Sequence, residues 1–219
     1  AMLTLPNLLT AVRLIAAPMV ALMFLYFTRP YADWAALILF VGAAGTDWLD
    51  GFLARAWKQE TKLGMMLDPI ADKLMVVIAL LVLTSIFGLN PLILLPATVI
   101  VFREIFVSGL REFIGVNANI LKVTSLAKWK TTAQMLAIAL LFAVGIFEDC
   151  FGGALAIEGE ALNLSTETSS AEGSEGIGFC TIGMYFFWYG GVFLLWISAV
   201  LTLATGAEYL RKALPLLRD

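Results

Sequence analysis

The chain has 219 residues, of which 61% are hydrophobic and 14% charged, and its formal net charge is −3. A soluble domain of this length would carry far more polar surface, so the composition indicates a polytopic membrane protein. Basic residues form no stripe outside the segments that flank apolar stretches, and we therefore expect no nucleic-acid partner.

The apolar stretches predict six transmembrane helices. Residues 3–10 are apolar and interrupted by Pro6, which favours a short amino-terminal interfacial helix or a lead-in to the first span. Each later stretch is long enough to cross a hydrocarbon core of about 30 Å. The spans are predicted over about 11–28, 34–57, 63–87, 92–115, 128–147 and 184–209. The expected fold is an all-α membrane protein in which residues 2–219 form a single domain.

Basic residues are distributed unevenly between the two ends of these spans. One side has only Arg29, and the other has Lys58, Lys62, Lys122, Lys128, Lys130, Arg211, Lys212 and Arg218. The positive-inside rule therefore predicts that both termini are cytoplasmic.

The segment 148–182 is predicted to be an acidic extracytoplasmic loop. Between residues 148 and 180 it has seven acidic residues and no Lys or Arg, and its two cysteines, Cys150 and Cys180, lie near its ends. They would close the loop as a disulfide in an oxidising compartment, or they are two unrelated thiols at the membrane boundary.

Four aspartates lie between residues 46 and 73 in otherwise apolar sequence. Asp47 and Asp50 are three residues apart and Asp68 and Asp72 four apart, so each pair shares one helical face. Carboxylates held close together repel one another unless a cation lies among them. Oxygen ligands in a chain without His favour Mg²⁺ or Mn²⁺, and two ions are the usual arrangement for displacement at phosphorus. The alternative is that these aspartates cap helix ends.

Small residues and one arginine accompany the aspartates. Gly51, Ala54 and Gly64 leave room for a nucleotide or pyrophosphate to approach the backbone. Arg55 offers a planar donor fork that matches a phosphate.

Together these residues form the pattern Asp47-x2-Asp50-Gly51-x2-Ala54-Arg55-x8-Gly64-x3-Asp68-x3-Asp72, which resembles the full signature of the CDP-alcohol phosphatidyltransferase family. The resemblance implies the CDP-alcohol phosphotransferase fold and a homodimer in a bacterial inner membrane. It also implies a cytoplasmic active site that binds CDP-diacylglycerol. It also implies residue roles: the four aspartates as metal ligands, Asp72 also as general base, and Asp47, Gly51, Ala54, Arg55 and Gly64 as the CDP-diacylglycerol site.

Further polar residues predict a cationic pocket for the acceptor. Asn7, Thr10 and Arg13 share one helical face and could reach a headgroup, and the alternative is that Asn7 and Thr10 cap a helix. The other candidates for phosphate binding are Arg103, Arg111, Lys128 and Lys130. Their alternative roles are snorkelling and pairing with carboxylates.

A cationic pocket suits an acceptor that already carries a phosphate. The stretch from Lys128 to Gln134 is similar to the branch of the family that uses glycerol 3-phosphate. Inositol phosphate, serine and phosphatidylglycerol are alternative acceptors for the same chemistry. A cation transporter is an alternative of another class, because carboxylates inside spans also mark ion paths. It leaves Gly51, Ala54, Arg55 and Gly64 unexplained.

Overall fold

The fold, taken from a computed structural model, is described for residues 5–57, 62–114, 125–164 and 167–216, and for side chains within 7–46, 64, 66–114, 129–156 and 176–215. Six α-helices make up almost all of these ranges: α1 Leu5–Tyr26, α2 Tyr31–Trp57, α3 Lys62–Phe87, α4 Pro91–Ile114, α5 Ser125–Leu164 and α6 Glu167–Ala213. A 3₁₀ turn, Leu214–Leu216, follows α6. The described ranges contain no strand.

Five of the helices are long and apolar enough to cross a membrane. Their apolar stretches are Asn7–Tyr26, Met66–Phe87, Pro91–Ile114, Trp129–Ala156 and Gly176–Ala213. The described apolar part of α2, Tyr31–Thr46, is shorter. Helices are favoured here because a bilayer offers no water to hydrogen-bond the backbone, so each segment must satisfy its own polar groups. The predicted all-α architecture with long apolar helices is confirmed for the described residues, and the count of six spans stays a prediction.

The amino-terminal helix α1 distinguishes the two alternatives predicted for residues 3–10. α1 begins at Leu5 and continues unbroken to Tyr26, so residues 5–10 are the first turns of the first apolar helix. Pro6 does not interrupt it, because the first N–H groups of a helix have no intrahelical acceptor. Of the two alternatives for residues 3–10, the described part of this segment matches the lead-in to the first span.

The segment predicted as a loop over 148–182 is helical instead at each of its described residues, 148–164 and 167–182. α5 continues to Leu164 and α6 starts at Glu167, and these helices have 40 and 47 residues. At 1.5 Å per residue they are about 60 and 70 Å long, roughly twice the thickness of a hydrocarbon core. The segment has no Pro, and its Ala, Leu and Glu residues favour helix beyond the point where the large apolar residues end.

A disulfide joins these two long helices. The sulfur atoms of Cys150 and Cys180 are bonded, and the Cα atoms of the two residues are 5.7 Å apart. Because the bond connects α5 to α6 between their apolar halves and the end of α5 at Leu164, it closes the helical hairpin that the two helices form.

The helices pack around a shared apolar core. α1 lies against both α2 and α3, α5 lies against α2, α3 and α6, and α4 lies against α3 and α6. The largest fully buried apolar side chains are Phe40, Leu80, Leu83, Ile93, Ile100, Ile138, Leu141, Phe142 and Leu195. Many other large apolar side chains are exposed, as expected for a surface in contact with lipid.

An ion-pair network joins the turn between α1 and α2 to α5. Arg29 Nε and Nη2 each donate to the buried Asp33 carboxylate at 2.8 Å, and Nη1 is 3.3 Å from Glu148 Oε2. The hydrogen bond to Asp33 is the main cause that raises the pKa of Arg29 above its ordinary value. Gly145 of α5 lies so close that an added Cβ would overlap the Asp33 carboxylate. This network closes the end of the bundle where α1 finishes.

Candidate active site

The first turns of α1 place two polar side chains against the aspartates of α3. Thr10 Oγ1 donates to Asp68 Oδ1 at 2.5 Å. Arg13 Nη1 donates to Asp72 Oδ1 at 2.7 Å, and Nη2 is 3.5 Å from Asp68 Oδ1. The helical spacing explains this arrangement, since Thr10 and Arg13 lie one turn apart on α1 and Asp68 and Asp72 lie one turn apart on α3.

Burial differs sharply between the partners. The Arg13 side chain is 1% exposed, whereas those of Asp68 and Asp72 are 45% and 40% exposed. A guanidinium held between two carboxylates offsets their mutual repulsion. The two aspartates therefore present negative charge to the open end of the bundle.

The other half of the predicted cluster lies on α2. Asp47, Asp50, Ala54 and Arg55 belong to the last three turns of this helix, which ends at Trp57, and their side chains lie outside the described ones. Gly51 is also on this segment. Among the described residues no group of three or more His, Cys, Asp or Glu could hold a metal ion. The metal ligands therefore stay a prediction.

Asp68 and Asp72, the two aspartates of the cluster whose side chains are described, suit a hard divalent cation. Asp68 and Asp72 supply carboxylate oxygens from one face of α3, and both are accessible. α1 packs against α2 as well as α3, so the helix that carries Arg13 contacts both acidic helices. Gly64, in the first turn of α3, is buried.

Cationic side chains of α4 and α5 meet around one carboxylate. Glu104 Oε1 accepts from Lys130 Nζ and, at 3.2 Å, from Arg103 Nη1. Arg103 Nη2 also donates to Thr205 Oγ1 of α6 at 3.3 Å. The exposed fractions of the Lys130 and Glu104 side chains are 7% and 11%. For Arg103 and Lys130, the structure thus contains the carboxylate pairing that was the alternative to phosphate binding.

The remaining acceptor-pocket candidates are placed differently. The Arg111 guanidinium lies over the ring of Tyr209, 5.7 Å from its centroid, in a cation–π contact. Asn7 is buried on α1, one turn before Thr10. Lys128 lies in the first turn of α5, and its side chain is outside the described ones.

A cleft connects the aspartates to the cationic cluster. Its volume is about 200 Å³, and its lining residues are Pro69, Asp72, Lys73, Val76, Glu104, Lys130, Thr131, Gln134 and Met135. Asp72 also lines a smaller cavity with Arg13. Asp72 is therefore the residue at which the α1 contacts and the cationic cleft meet.

Sequence reasoning missed two polar residues of this cleft, Lys73 and Gln134, as functional candidates. Lys73 follows Asp72 directly, and its Nζ hydrogen-bonds Ser108 Oγ of α4. Gln134 is 2% exposed, on the helix that carries Lys130 and one turn beyond it. Both follow predicted site residues closely in the sequence, and that proximity was the available signal.

The comparisons with known proteins agree with this geometry. The family model for CDP-alcohol phosphatidyltransferases matches residues 3–164. The chain belongs to the CDP-alcohol phosphatidyltransferase family. The family predicted from the aspartate signature is thereby confirmed, and the matched range includes α1 to α5.

Several members of this family are similar over most of the chain. The CDP-diacylglycerol–glycerol-3-phosphate 3-phosphatidyltransferase of Cereibacter sphaeroides is 55% identical over 219 residues, which cover 99% of this chain and 98% of that protein. Proteins of the same name from Escherichia coli strain K12 and Shigella flexneri are 41% identical over 163 residues. Those matches cover 73% of this chain and 88% of each relative.

Proposed function

We propose that this protein transfers the phosphatidyl group of CDP-diacylglycerol to sn-glycerol 3-phosphate, giving phosphatidylglycerophosphate and CMP. The observation that carries the proposal is the 55% identity, over 99% of the chain, to a relative named for this reaction. The cleft supports it independently, because Asp72 lies there beside cationic side chains that suit a phosphorylated acceptor.

The reaction is a single displacement at the lipid-linked phosphorus. The primary hydroxyl oxygen of glycerol 3-phosphate forms the new P–O bond, and the P–O bond to CMP breaks, with its electron pair leaving on CMP. The hydroxyl proton passes to a carboxylate, for which Asp72 is our candidate. Arg13 supports this role by holding one Asp72 oxygen at 2.7 Å, which fixes the direction of the carboxylate.

The four aspartates are the proposed ligands of two Mg²⁺ or Mn²⁺ ions. Such ions would stabilise the negative charge of the pyrophosphate during the displacement. The accessible carboxylates of Asp68 and Asp72 support this assignment.

The donor nucleotide is assigned to α2 and the start of α3. We propose that Asp47, Gly51, Ala54, Arg55 and Gly64 contact CDP-diacylglycerol, because the signature gives this segment small residues and one guanidinium.

We further propose a membrane arrangement. α2 is the sixth spanning helix, and both termini and the aspartates are on the cytoplasmic side of a bacterial inner membrane. The end of the α5–α6 hairpin that contains the segment 148–182 is extracytoplasmic. The distribution of basic residues and the Cys150–Cys180 disulfide support this orientation. We also propose a homodimer, on the strength of the family alone.

The test is CMP release by purified protein in detergent. Each reaction contains CDP-diacylglycerol, Mg²⁺ or Mn²⁺, and one acceptor: glycerol 3-phosphate, inositol phosphate, serine or phosphatidylglycerol. We expect release that requires glycerol 3-phosphate and stops when a chelator is added. Asp72→Asn should abolish release, whereas Asp149→Asn, an exposed position on α5, should not change it.

Two results would contradict the proposal. Release with another acceptor would keep the displacement chemistry and refute the acceptor assignment. Absence of release with every acceptor, from folded protein that carries metal across liposome membranes, would favour a cation transporter.

A further inference from the structure

Lys73 lies beside the proposed base but faces a different helix. It follows Asp72 on α3 and is therefore rotated by about 100° around the helix axis. Asp72 faces α1, where Arg13 contacts it, and Lys73 reaches Ser108 on α4. Both side chains line the same cleft.

The partner of Lys73 is neutral. Ser108 Oγ accepts a hydrogen bond from Lys73 Nζ. It donates its own hydrogen to the main-chain carbonyl oxygen of Glu104, at 2.6 Å. This second bond fixes the direction of the Ser108 hydroxyl, so that a lone pair points to the ammonium group. Ser108 can therefore orient Lys73 without neutralising its charge.

The other cations of the cleft are already paired. Lys130 and Arg103 both contact the Glu104 carboxylate, and Arg13 contacts Asp68 and Asp72. Within the described part of the chain, Lys73 forms no ion pair. Each carboxylate that lines the cleft already has another cation, because Glu104 contacts Lys130 and Arg103 and Asp72 contacts Arg13. The ammonium group of Lys73 is therefore available to a phosphate monoester, whose charge is about −1.5 to −2 near pH 7.

We propose that Lys73 binds the phosphate of the acceptor and that Ser108 is its positioning residue. The proposal rests on the proposed function, which supplies the phosphorylated acceptor. A lysine suits this task because its ammonium is a compact charge with three donors, one of which Ser108 uses. Because Lys73 is adjacent to Asp72, a phosphate held there leaves the far hydroxyl of a three-carbon acceptor within the same cleft as the base.

The test is a comparison of KM values in the CMP-release assay. In Lys73→Met, we expect KM for glycerol 3-phosphate to rise about tenfold or more, since one charge-assisted hydrogen bond is lost. KM for CDP-diacylglycerol should change by less than about twofold, because Lys73 would not contact the donor. Lys73→Arg should recover part of the affinity, and Ser108→Ala should raise KM for glycerol 3-phosphate by a smaller factor.

Lys212→Met is the matched control. Lys212 is a half-exposed lysine of α6 that pairs with Glu208, and its removal should change neither KM. An unchanged KM for glycerol 3-phosphate in Lys73→Met would overturn the inference, as would an equal rise in both KM values. If Lys73→Met does not fold, Ser108→Ala decides: a raised KM for glycerol 3-phosphate supports the inference and an unchanged one refutes it.

The two proposals fail separately. If the unmodified protein does not use glycerol 3-phosphate, the proposed function fails before any variant is measured. If it does, and Lys73→Met behaves like Lys212→Met, only the role of Lys73 is refuted.

Discussion

Replacement of Arg13 by Met tests how the aspartates are held. The change removes the only described cation in contact with both Asp68 and Asp72, at 3.5 and 2.7 Å. The loss of one partner of a buried ion pair costs about 3–5 kcal/mol. Here the carboxylates are 45% and 40% exposed, so water can solvate them in the variant. We therefore expect a smaller loss, about 2 kcal/mol in the free energy of unfolding.

That loss predicts a measurable thermal shift. For a chain of 150–250 residues, 1 kcal/mol corresponds to roughly 2–4 °C in Tm, so Arg13→Met should melt about 4–8 °C lower in the same detergent. CMP release should fall at least tenfold through kcat, because Asp72 loses the contact that orients it. Arg211→Met, an exposed arginine of α6, is the control and should change neither Tm nor kcat.

The result also separates two roles of Arg13. If Arg13 binds the acceptor phosphate, KM for glycerol 3-phosphate should rise with little change in Tm. If it holds the carboxylates, Tm and kcat should fall while this KM stays nearly constant. An unchanged Tm in Arg13→Met would refute our interpretation of the ion pairs.

Two further predictions concern the end of the bundle away from the aspartates. Gly145→Ala should lower Tm, because its Cβ would displace the Asp33 carboxylate from Arg29 at a cost of about 1–3 kcal/mol. The control is Gly152→Ala, because Gly152 has open space around it. Equal Tm values for the two variants would contradict the predicted clash. Replacement of Cys150 and Cys180 by Ser, or reduction of the disulfide, should lower Tm with unchanged KM values. In the chain-entropy model, a disulfide between residues 30 positions apart stabilises the folded state by at most about 4 kcal/mol. An unchanged Tm would show that the bond adds no stability.

Much of the site was predictable from spacing alone. Residues three or four apart on a helix share a face, which predicted that Asp68 and Asp72 act together and that Thr10 and Arg13 do so. Spacing could not show that the α1 pair contacts the α3 pair, because these contacts join residues that are 58 and 59 positions apart in the chain. Arg13 was predicted to bind acceptor phosphate, and the structure places it against two carboxylates.

Lys73 was missed for a related reason. Its importance depends on the neighbouring helix, since Ser108 is 35 residues away in the chain. Arg103 and Lys130 were identified because charges in spans are costly, but periodicity could not reveal that both contact Glu104.

The extent of α5 and α6 was underestimated because hydropathy marks the part of a helix that lies in lipid. A helix can continue beyond that part wherever its sequence allows, and α5 continues past Phe147 to Leu164. Hydropathy therefore predicted the helices of the described ranges but not where α5 ends and α6 begins.

The two ends of the bundle divide activity from stability. At the aspartate end, substrates need access, so Asp68 and Asp72 stay nearly half exposed, and Thr10 and Arg13 of α1 contact them. At the other end, a buried Asp33 and the disulfide fasten α1, α2, α5 and α6 together. A site that must stay open cannot bury all of its charged side chains, so the closed end supplies stability that the open end lacks. Substitutions there should therefore change Tm and leave the KM values unchanged, whereas substitutions around Asp72 should change the kinetics.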